Sequence, residues 1–285
     1  MNALELNGKS MVKIKVVVCG AGAAAVSCAR LYISMGVDPG NIVMCDSKGV
    51  LNQSRTDLNP IKKEFVTSRK VNTLEEAMVD ADVFLGLSTG GLVSKKMVQS
   101  MAEDPIVFAM ANPNPEISWE DAMDAREDII MATGRSDYPN QVNNVLGFPF
   151  IFRGALDVRA THINEEMKIA AAKALAGLAK EDVPDMVARA YNKQNIVFGR
   201  DYIIPKPLDP RLITTVSTAV AKAAMETGVA QKPVKNWTAY KNELTQRMGI
   251  NSKLVMAIRN KARQSPRRVV FAEGNNFKVL KAAQF

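Results

Sequence analysis

Short apolar runs alternate with helix-like segments over the first 140 residues of the chain. The apolar runs are rich in β-branched and large aliphatic residues, which is typical of buried strands. They cover residues 16–19, 42–45, 81–87, 106–110 and 129–132. Segments with helical character lie between them at residues 23–35, 74–79 and 94–101. Strands that alternate with helices predict an α/β fold with a Rossmann-like, doubly wound parallel sheet.

The remainder of the chain is predicted to be mainly helical. Asn164 precedes two glutamates and predicts the N-terminus of a helix that runs to about residue 180. Residues 214–227 form a second predicted helix, with Gly228 as its stop. Residues 229–266 are polar and basic and predict a weakly helical connector. Residues 267–285 then predict the start of a strand-and-turn unit that is incomplete at the end of the chain.

The first predicted strand runs directly into a glycine-rich turn. Gly20 suits a tight turn, Gly22 removes a side chain where a pyrophosphate would approach, and Ala25 lets the helix lie close to the sheet. The N-terminus of that helix would offer free N–H groups to the pyrophosphate. This strand–turn–helix pattern predicts a site for NAD or NADP. The turn residues predicted to bind the cofactor are Gly20, Ala21, Gly22, Ala23 and Ala24.

The second predicted strand is followed by Asp46, which lies 26 residues after Gly20. An acidic residue at about this offset accepts hydrogen bonds from the adenosine ribose. A bare carboxylate would favour NAD, whereas Ser47, Lys48 and the more distant Arg55 could hold the 2′-phosphate of NADP. The sequence leaves the choice open, and a solvated loop is the alternative interpretation of the two cations.

Composition limits the class of protein. Hydrophobic content of 47% and charged content of 23% are those of a globular chain, and no apolar run is long enough to span a bilayer. The three cysteines are odd in number and lack metal-ligand spacing, which predicts free thiols and a cytoplasmic location. The single histidine excludes a metal site built from several histidines.

The positive charge is concentrated at the end of the chain. Residues 231–285 contain twelve lysines and arginines and two acidic residues. The net charge of this segment, +10, exceeds the net charge of +8 for the whole chain. The basic residues are not interleaved with aromatic residues, so nucleic-acid binding is not predicted.

Four blocks of the sequence together resemble the nucleotide-binding domain of malic enzymes, specifically the bacterial NADP-dependent type. They cover residues 17–25, 46–49, 111–116 and 132–157, and the last contains Thr-Gly-Arg-Ser-Asp and Asn-Asn-Val-Leu-Gly-Phe-Pro. The resemblance extends over residues 1–228. Residues 268–284 resemble the opening of the phosphotransacetylase-like domain that follows in that type.

The resemblance implies an oxidoreductase that converts (S)-malate to pyruvate and CO₂ with NADP or NAD and with Mg²⁺ or Mn²⁺. It implies cofactor roles for Ser88, Asn112 and Asn144, and substrate roles for Asn112, Asn143 and Asn144. Carboxamides suit the substrate, since they bond to a hydroxyl and a carboxylate without adding charge. The alternative is that these asparagines cap turns. The family also implies a homo-oligomer.

The resemblance also implies what this chain would lack. The tyrosine and lysine that act as acid and base in malic enzymes, and their three acidic metal ligands, come from segments upstream of the nucleotide turn. Only residues 1–15 precede the strand that leads into that turn here. We therefore expect no catalytic acid–base pair and no metal ligand, and a chain truncated at both ends that supplies cofactor binding and part of the substrate site.

Two alternatives come from other functional classes. A non-catalytic NAD(P)-binding module, or a partner of an intact paralogue, would equally lack the acid–base and metal groups. The cofactor domain of an amino-acid dehydrogenase shares the βαβ unit, but residues 132–157 disfavour it.

Overall fold

The computed structural model describes residues 1–191, 196–248 and 270, and the chain forms two compact units, Met1–Pro233 and Val234–Phe285. The first unit contains a six-stranded sheet. Its strands are β1 (Val16–Cys19), β2 (Ile42–Asp46), β3 (Gly49–Val50), β4 (Val83–Gly86), β5 (Ile106–Ala109) and β6 (Ile130–Thr133). Their spatial order is β3-β2-β1-β4-β5-β6. The order reverses between β1 and β4, and such a sheet binds ligands in the crevice over its carboxyl edge at this point.

The sheet is parallel, as predicted, except at one edge. Val17 of β1 lies opposite Val43 of β2 and Phe84 of β4, and the register continues in parallel through β5 to β6. The edge strand β3 was not predicted, and it pairs antiparallel with β2. It is only two residues long and begins at Gly49, whose φ is +108°, so no apolar run marks it in the sequence.

Alternating side chains of the strands pack on opposite faces of the sheet. Val16 and Val18 belong to one hydrophobic core, whereas Val17 and Cys19 belong to the other. The entire strand is buried. Helices on both faces cover a parallel sheet, which explains why its strands are continuously apolar.

The helices that connect the strands are mostly short and are capped by polar side chains. Thr73 accepts a hydrogen bond from the Glu76 N–H, and the Glu76 carboxylate completes a capping box. The helices before residue 130 are α1 (Asn2–Leu6), α2 (Ala23–Ser34), α3 (Pro60–Lys63), α4 (Leu74–Met78), α5 (Lys95–Gln99) and α6 (Trp119–Ala125).

Helices α7 (Phe148–Asp157), α8 (Glu165–Leu178), α9 (Asp185–Ala190) and α10 (Arg211–Glu226) follow the sheet. Asn164 caps α8 as predicted, because its Oδ1 accepts the Met167 N–H at 3.0 Å. Gly154 lets α7 lie directly against α10, since a Cβ there would stand 2.5 Å from the Ser217 carbonyl oxygen. Gly228, with φ of +73°, follows the end of α10 as predicted.

The second unit contains helix α11 (Trp237–Arg247), which falls within the predicted connector. Asn236 caps it by accepting the Ala239 N–H at 3.0 Å. The predicted C-terminal unit, residues 267–285, lies outside the described residues except for Val270. None of the helices in the described part of the chain is long and apolar enough to cross a membrane.

Candidate functional site

The glycine-rich turn between β1 and α2 has the predicted geometry. Gly20 has a φ of +119°, and a Cβ on it would lie 2.6 Å from the Leu87 carbonyl oxygen, so a side chain is excluded both by conformation and by space. Gly22 differs, because a Cβ there would meet no atom within 4 Å. Ala25 is buried on the sheet side of α2. The turn therefore places α2 close to the sheet and leaves open space above Gly22.

The N-terminus of α2 faces this open space. Gly22 is its N-cap, and among the described residues no side-chain hydrogen bond caps this helix N-terminus. Ala23 and Ala24 are exposed there, as an anion-binding helix N-terminus requires. The predicted turn residues thus stand together at the point where the strand order reverses.

Five charged residues form an ionic cluster beside the end of β2: Asp46, Lys48, Arg55, Asp57 and Lys62. The Asp46 side chain is only 8% exposed and binds Arg55 Nη1 at 3.1 Å and Lys62 Nζ at 2.6 Å. Its Oδ1 also accepts the Lys48 N–H at 2.9 Å. Arg55 and Lys48 bind Asp57 at 2.6 and 2.7 Å. Arg55 is therefore not a solvated loop residue.

The electrostatics of Asp46 follow from this cluster. Burial opposes its charge, but hydrogen bonds from Arg55 and Lys62 outweigh burial and hold the pKa of the carboxyl well below its usual range. Both carboxylate oxygens already accept hydrogen bonds from these partners. In this arrangement Asp46 anchors two cations, a role that the position of an acidic residue after β2 did not predict.

A cavity of about 430 Å³ connects the turn to the ionic cluster and to β4. Gly20, Asp46, Ser47 and Ser88 all line it. The buried thiols of Cys19 and Cys45 also contribute to it, and burial raises the pKa of Cys19 to about 11. The structure thus brings predicted cofactor residues from the ends of three strands into one cavity.

A second cavity, of about 290 Å³, lies over the ends of β5 and β6. Asn112 lines it, together with Thr133, Gly134 and Gln141. The predicted site residues Asn143 and Asn144 line neither of these two cavities. Asn143 caps the short 3₁₀ turn Asn144–Leu146 by accepting the Val145 N–H at 3.1 Å, so it does cap a turn. Asn144 is exposed.

Two buried polar residues that were given no role from the sequence hold the loops of this region. Asn140 donates to the carbonyl oxygens of Met131 and Arg200 at 3.0 and 2.6 Å, and its Oδ1 accepts the Ile203 N–H at 2.9 Å. Glu116 is completely buried and accepts two backbone N–H groups. In the sequence, Glu116 is a polar residue between the apolar Pro115 and Ile117. This pattern does not predict that its side chain is buried.

The fold, the reversal of strand order and the open glycine-rich turn define a Rossmann-type NAD(P)-binding domain. The family model described as malic enzyme, NAD binding domain, matches residues 1–191. The chain therefore belongs to the malic enzyme family.

Individual relatives agree with this assignment. An NADP-dependent malic enzyme of Rhizobium meliloti is 54% identical over 99% of this chain, and an NAD-dependent malic enzyme of the same organism is 47% identical over 100% of it. This chain spans 37% of the length of each. The crystal structure of malic enzyme from Pyrococcus horikoshii superimposes with a TM-score of 0.75 at 36% identity, over 93% of this chain and 60% of that one.

Proposed function

We propose that this chain binds NADP or NAD across the crevice and serves the oxidative decarboxylation of (S)-malate to pyruvate and CO₂. In that reaction a hydride leaves C2 of malate for the nicotinamide ring and the C2 hydroxyl loses its proton. The resulting 2-keto acid then loses CO₂ and takes up a proton at C3, which gives pyruvate. The observation that carries the proposal is the open space above Gly22 at the uncapped N-terminus of α2, in a chain of the malic enzyme family. A pyrophosphate fits there because free N–H groups and the helix dipole favour an anion.

The ionic cluster supports NADP as the preferred cofactor. It contains three cations and two carboxylates, so it keeps a net positive charge while Asp46 is fully paired. A 2′-phosphate has its strongest interactions with fixed guanidinium and ammonium groups. Arg55 and Lys62 are already held in place by Asp46, so little side-chain entropy would be lost on binding.

The substrate side is assigned to carboxamides. Asn112 lines the cavity over β5 and β6, which supports contact with the nicotinamide or with malate. Asn143 and Asn144 lie further along the loop after β6, and their roles rest on the family resemblance. Amide groups at these positions would orient the hydroxyl and carboxylate of malate without adding charge.

The divalent metal of the family has no evident donor set in the described residues. Within residues 1–191 and 196–248, no three histidine, cysteine or acidic side chains come together as metal ligands. We therefore assign no step to a metal here, and the residues named above bind and orient the two substrates.

A combined binding and turnover measurement tests the proposal. The purified chain would be titrated with NADP⁺ and NAD⁺ by calorimetry, and the same sample would be assayed for malate-dependent NADPH formation with Mn²⁺. We expect tighter binding of NADP⁺, and efficient turnover only after addition of the part of the Rhizobium meliloti NADP-dependent relative that this chain does not match. Failure to bind either nucleotide would contradict the proposal.

Two further properties belong to the same proposal. The family resemblance supports a homo-oligomer, which light scattering on the purified chain would test. Three free thiols, Cys19, Cys28 and Cys45, support a reducing compartment such as the cytoplasm. Fractionation of cells that express the tagged chain would test this location.

A further inference from the structure

Glu116 joins the loops that follow two neighbouring strands. Its Oε1 accepts the Ser88 N–H, beyond the end of β4, at 3.0 Å, and its Oε2 accepts the Ala111 N–H, beyond the end of β5, at 3.0 Å. The side chain is completely buried. Each oxygen therefore serves a different loop, and a single carboxylate sets the distance between them.

The backbone around Glu116 strengthens this connection. The Glu116 carbonyl oxygen accepts the Val93 N–H at 2.9 Å, and the Pro115 carbonyl oxygen accepts the Gly91 N–H at 3.1 Å. The loop after β5 thus holds the loop after β4 at both its beginning and its end.

Gly86 makes room for the carboxylate. A Cβ on this last residue of β4 would lie 2.3 Å from Cδ of Glu116 and within 2.6 Å of both of its oxygens. The carboxylate occupies the space that a side chain of the strand would fill. Glycine at position 86 and glutamate at position 116 are therefore parts of one arrangement.

A buried carboxylate is costly unless it is hydrogen-bonded or paired. In the part of the chain that the structure describes, Glu116 forms no ion pair, and its partners are backbone N–H groups. An apolar side chain would fill the same space without the cost of removing a charge from water, but it could not bond to both loops. The benefit of the carboxylate thus lies in fixing these loops.

We propose that Glu116 is a positioning residue for the nicotinamide half of the cofactor. This inference rests on the proposed function. A Rossmann-type sheet binds one mononucleotide over each of its two halves, so the adenosine half lies over β1–β3 and the nicotinamide half over β4–β6. Glu116 bonds to the loops after β4 and β5, where it holds Ser88 and the segment that carries Asn112. Ser88 also lines the cavity that Asp46 lines, but the Ala111 N–H belongs to the β4–β6 side, so loss of the carboxylate should disturb the nicotinamide half more than the adenosine half.

The test compares a whole cofactor with its adenosine half. NADP⁺ and adenosine 2′,5′-bisphosphate would each be titrated by calorimetry into the wild-type chain and into Glu116→Gln. The amide keeps the shape of the carboxylate but turns an NH₂ group toward one backbone N–H. Loss of one charge-assisted hydrogen bond would release one of the two loops, so we expect the Kd for NADP⁺ to rise roughly 10-fold. The Kd for adenosine 2′,5′-bisphosphate should change less than about 2-fold.

Two further variants complete the design. Glu103→Gln changes an exposed glutamate that precedes β5, beyond the opposite edge of the sheet, and should leave both dissociation constants unchanged. Gly86→Ala crowds the carboxylate and should reproduce the selective loss of NADP⁺ affinity. If Glu116→Gln does not fold, titration of Gly86→Ala with the same two ligands tests the positioning role instead.

The possible results are distinct. Equal weakening of both ligands, or no change in either, would overturn the positioning role. A wild-type chain that binds neither ligand would contradict the proposed function, and the inference would fall with it. A wild-type chain that binds both ligands, together with an unchanged Glu116→Gln variant, would refute the inference alone.

Discussion

The two sides of the crevice are built differently. On the β1–β3 side, the ionic cluster presents paired charges, and the Lys48 side chain is 68% exposed. On the β4–β6 side, the residues that fix the loops, Glu116 and Asn140, are buried and bond only to backbone groups in the hydrogen bonds described.

The charged residues on the β1–β3 side are suited to binding a phosphate, whereas the buried residues on the β4–β6 side stabilise the loops. The exposed pair of Lys48 with Asp57 contributes little to folding, whereas Arg55 and Lys62 are held by the buried Asp46 carboxylate. All three cations can still bind a phosphate. Buried polar side chains that satisfy backbone groups contribute strongly to stability, because their removal leaves those groups without partners. Changes on the β1–β3 side should therefore alter the choice of cofactor, and changes on the β4–β6 side should alter the fold or its local geometry.

The largest effect on stability is expected for Asn140→Ala. This substitution removes hydrogen bonds to Met131, Arg200 and Ile203 and leaves buried backbone groups unpaired. It also places alanine at a φ of +53°. We expect the free energy of unfolding to fall by about 3 kcal/mol, measured by urea denaturation.

Matched variants separate the two causes. Asn140→Gly relieves the backbone conformation and should recover about 1 kcal/mol of the loss. Asn144→Ala, at an exposed position, should change stability by less than about 0.5 kcal/mol. A small effect of Asn140→Ala would mean that the loop after β6 is not held by this side chain.

Arg55→Ala should change affinity more than stability. The guanidinium binds Asp46 and Asp57, and under the proposed function it also binds the 2′-phosphate. We expect calorimetry to show NADP⁺ affinity falling about 30-fold and NAD⁺ affinity changing less than about 3-fold. Arg30→Ala, which removes an exposed pair with Glu64, is the control. Equal losses for the two nucleotides would refute the assignment of Arg55 to the 2′-phosphate.

A smaller effect is expected from the titration of Asp46. Its pKa is lowered in the folded chain, so its contribution to stability is present above the unfolded value of about 4 and is lost as the pH falls through the folded pKa. Asp46→Asn should therefore be less stable than the wild-type chain by about 1 kcal/mol at pH 7, and this difference should narrow as the pH falls below about 4. Thermal melts from pH 7 to pH 2 would measure it, and a constant gap would contradict the pairing.

The sequence predicted the features that depend on local pattern. The locations of the parallel strands and of the glycine-rich turn were predicted correctly. Each depends on residues close together in the sequence: an apolar β-branched run, a glycine with an unusual backbone conformation, or the start of a helix. The position of Asp46 at the end of the second strand was predicted. Its contact with Lys62 was not, since that contact depends on how the loop after β3 folds back. Glu116 and Asn140 bond to backbone groups, so residue type alone gives no indication of their partners.

Titration of Gly22→Val with NADP⁺ tests whether the turn at Gly22 receives the pyrophosphate of the cofactor. Gly177→Val, at another glycine with open space around its Cβ position, is the control. Because valine would occupy the pyrophosphate position, we predict at least a roughly 100-fold loss of affinity in Gly22→Val and unchanged affinity in the control. Retained affinity in a folded Gly22→Val variant would show that the pyrophosphate does not bind at this turn.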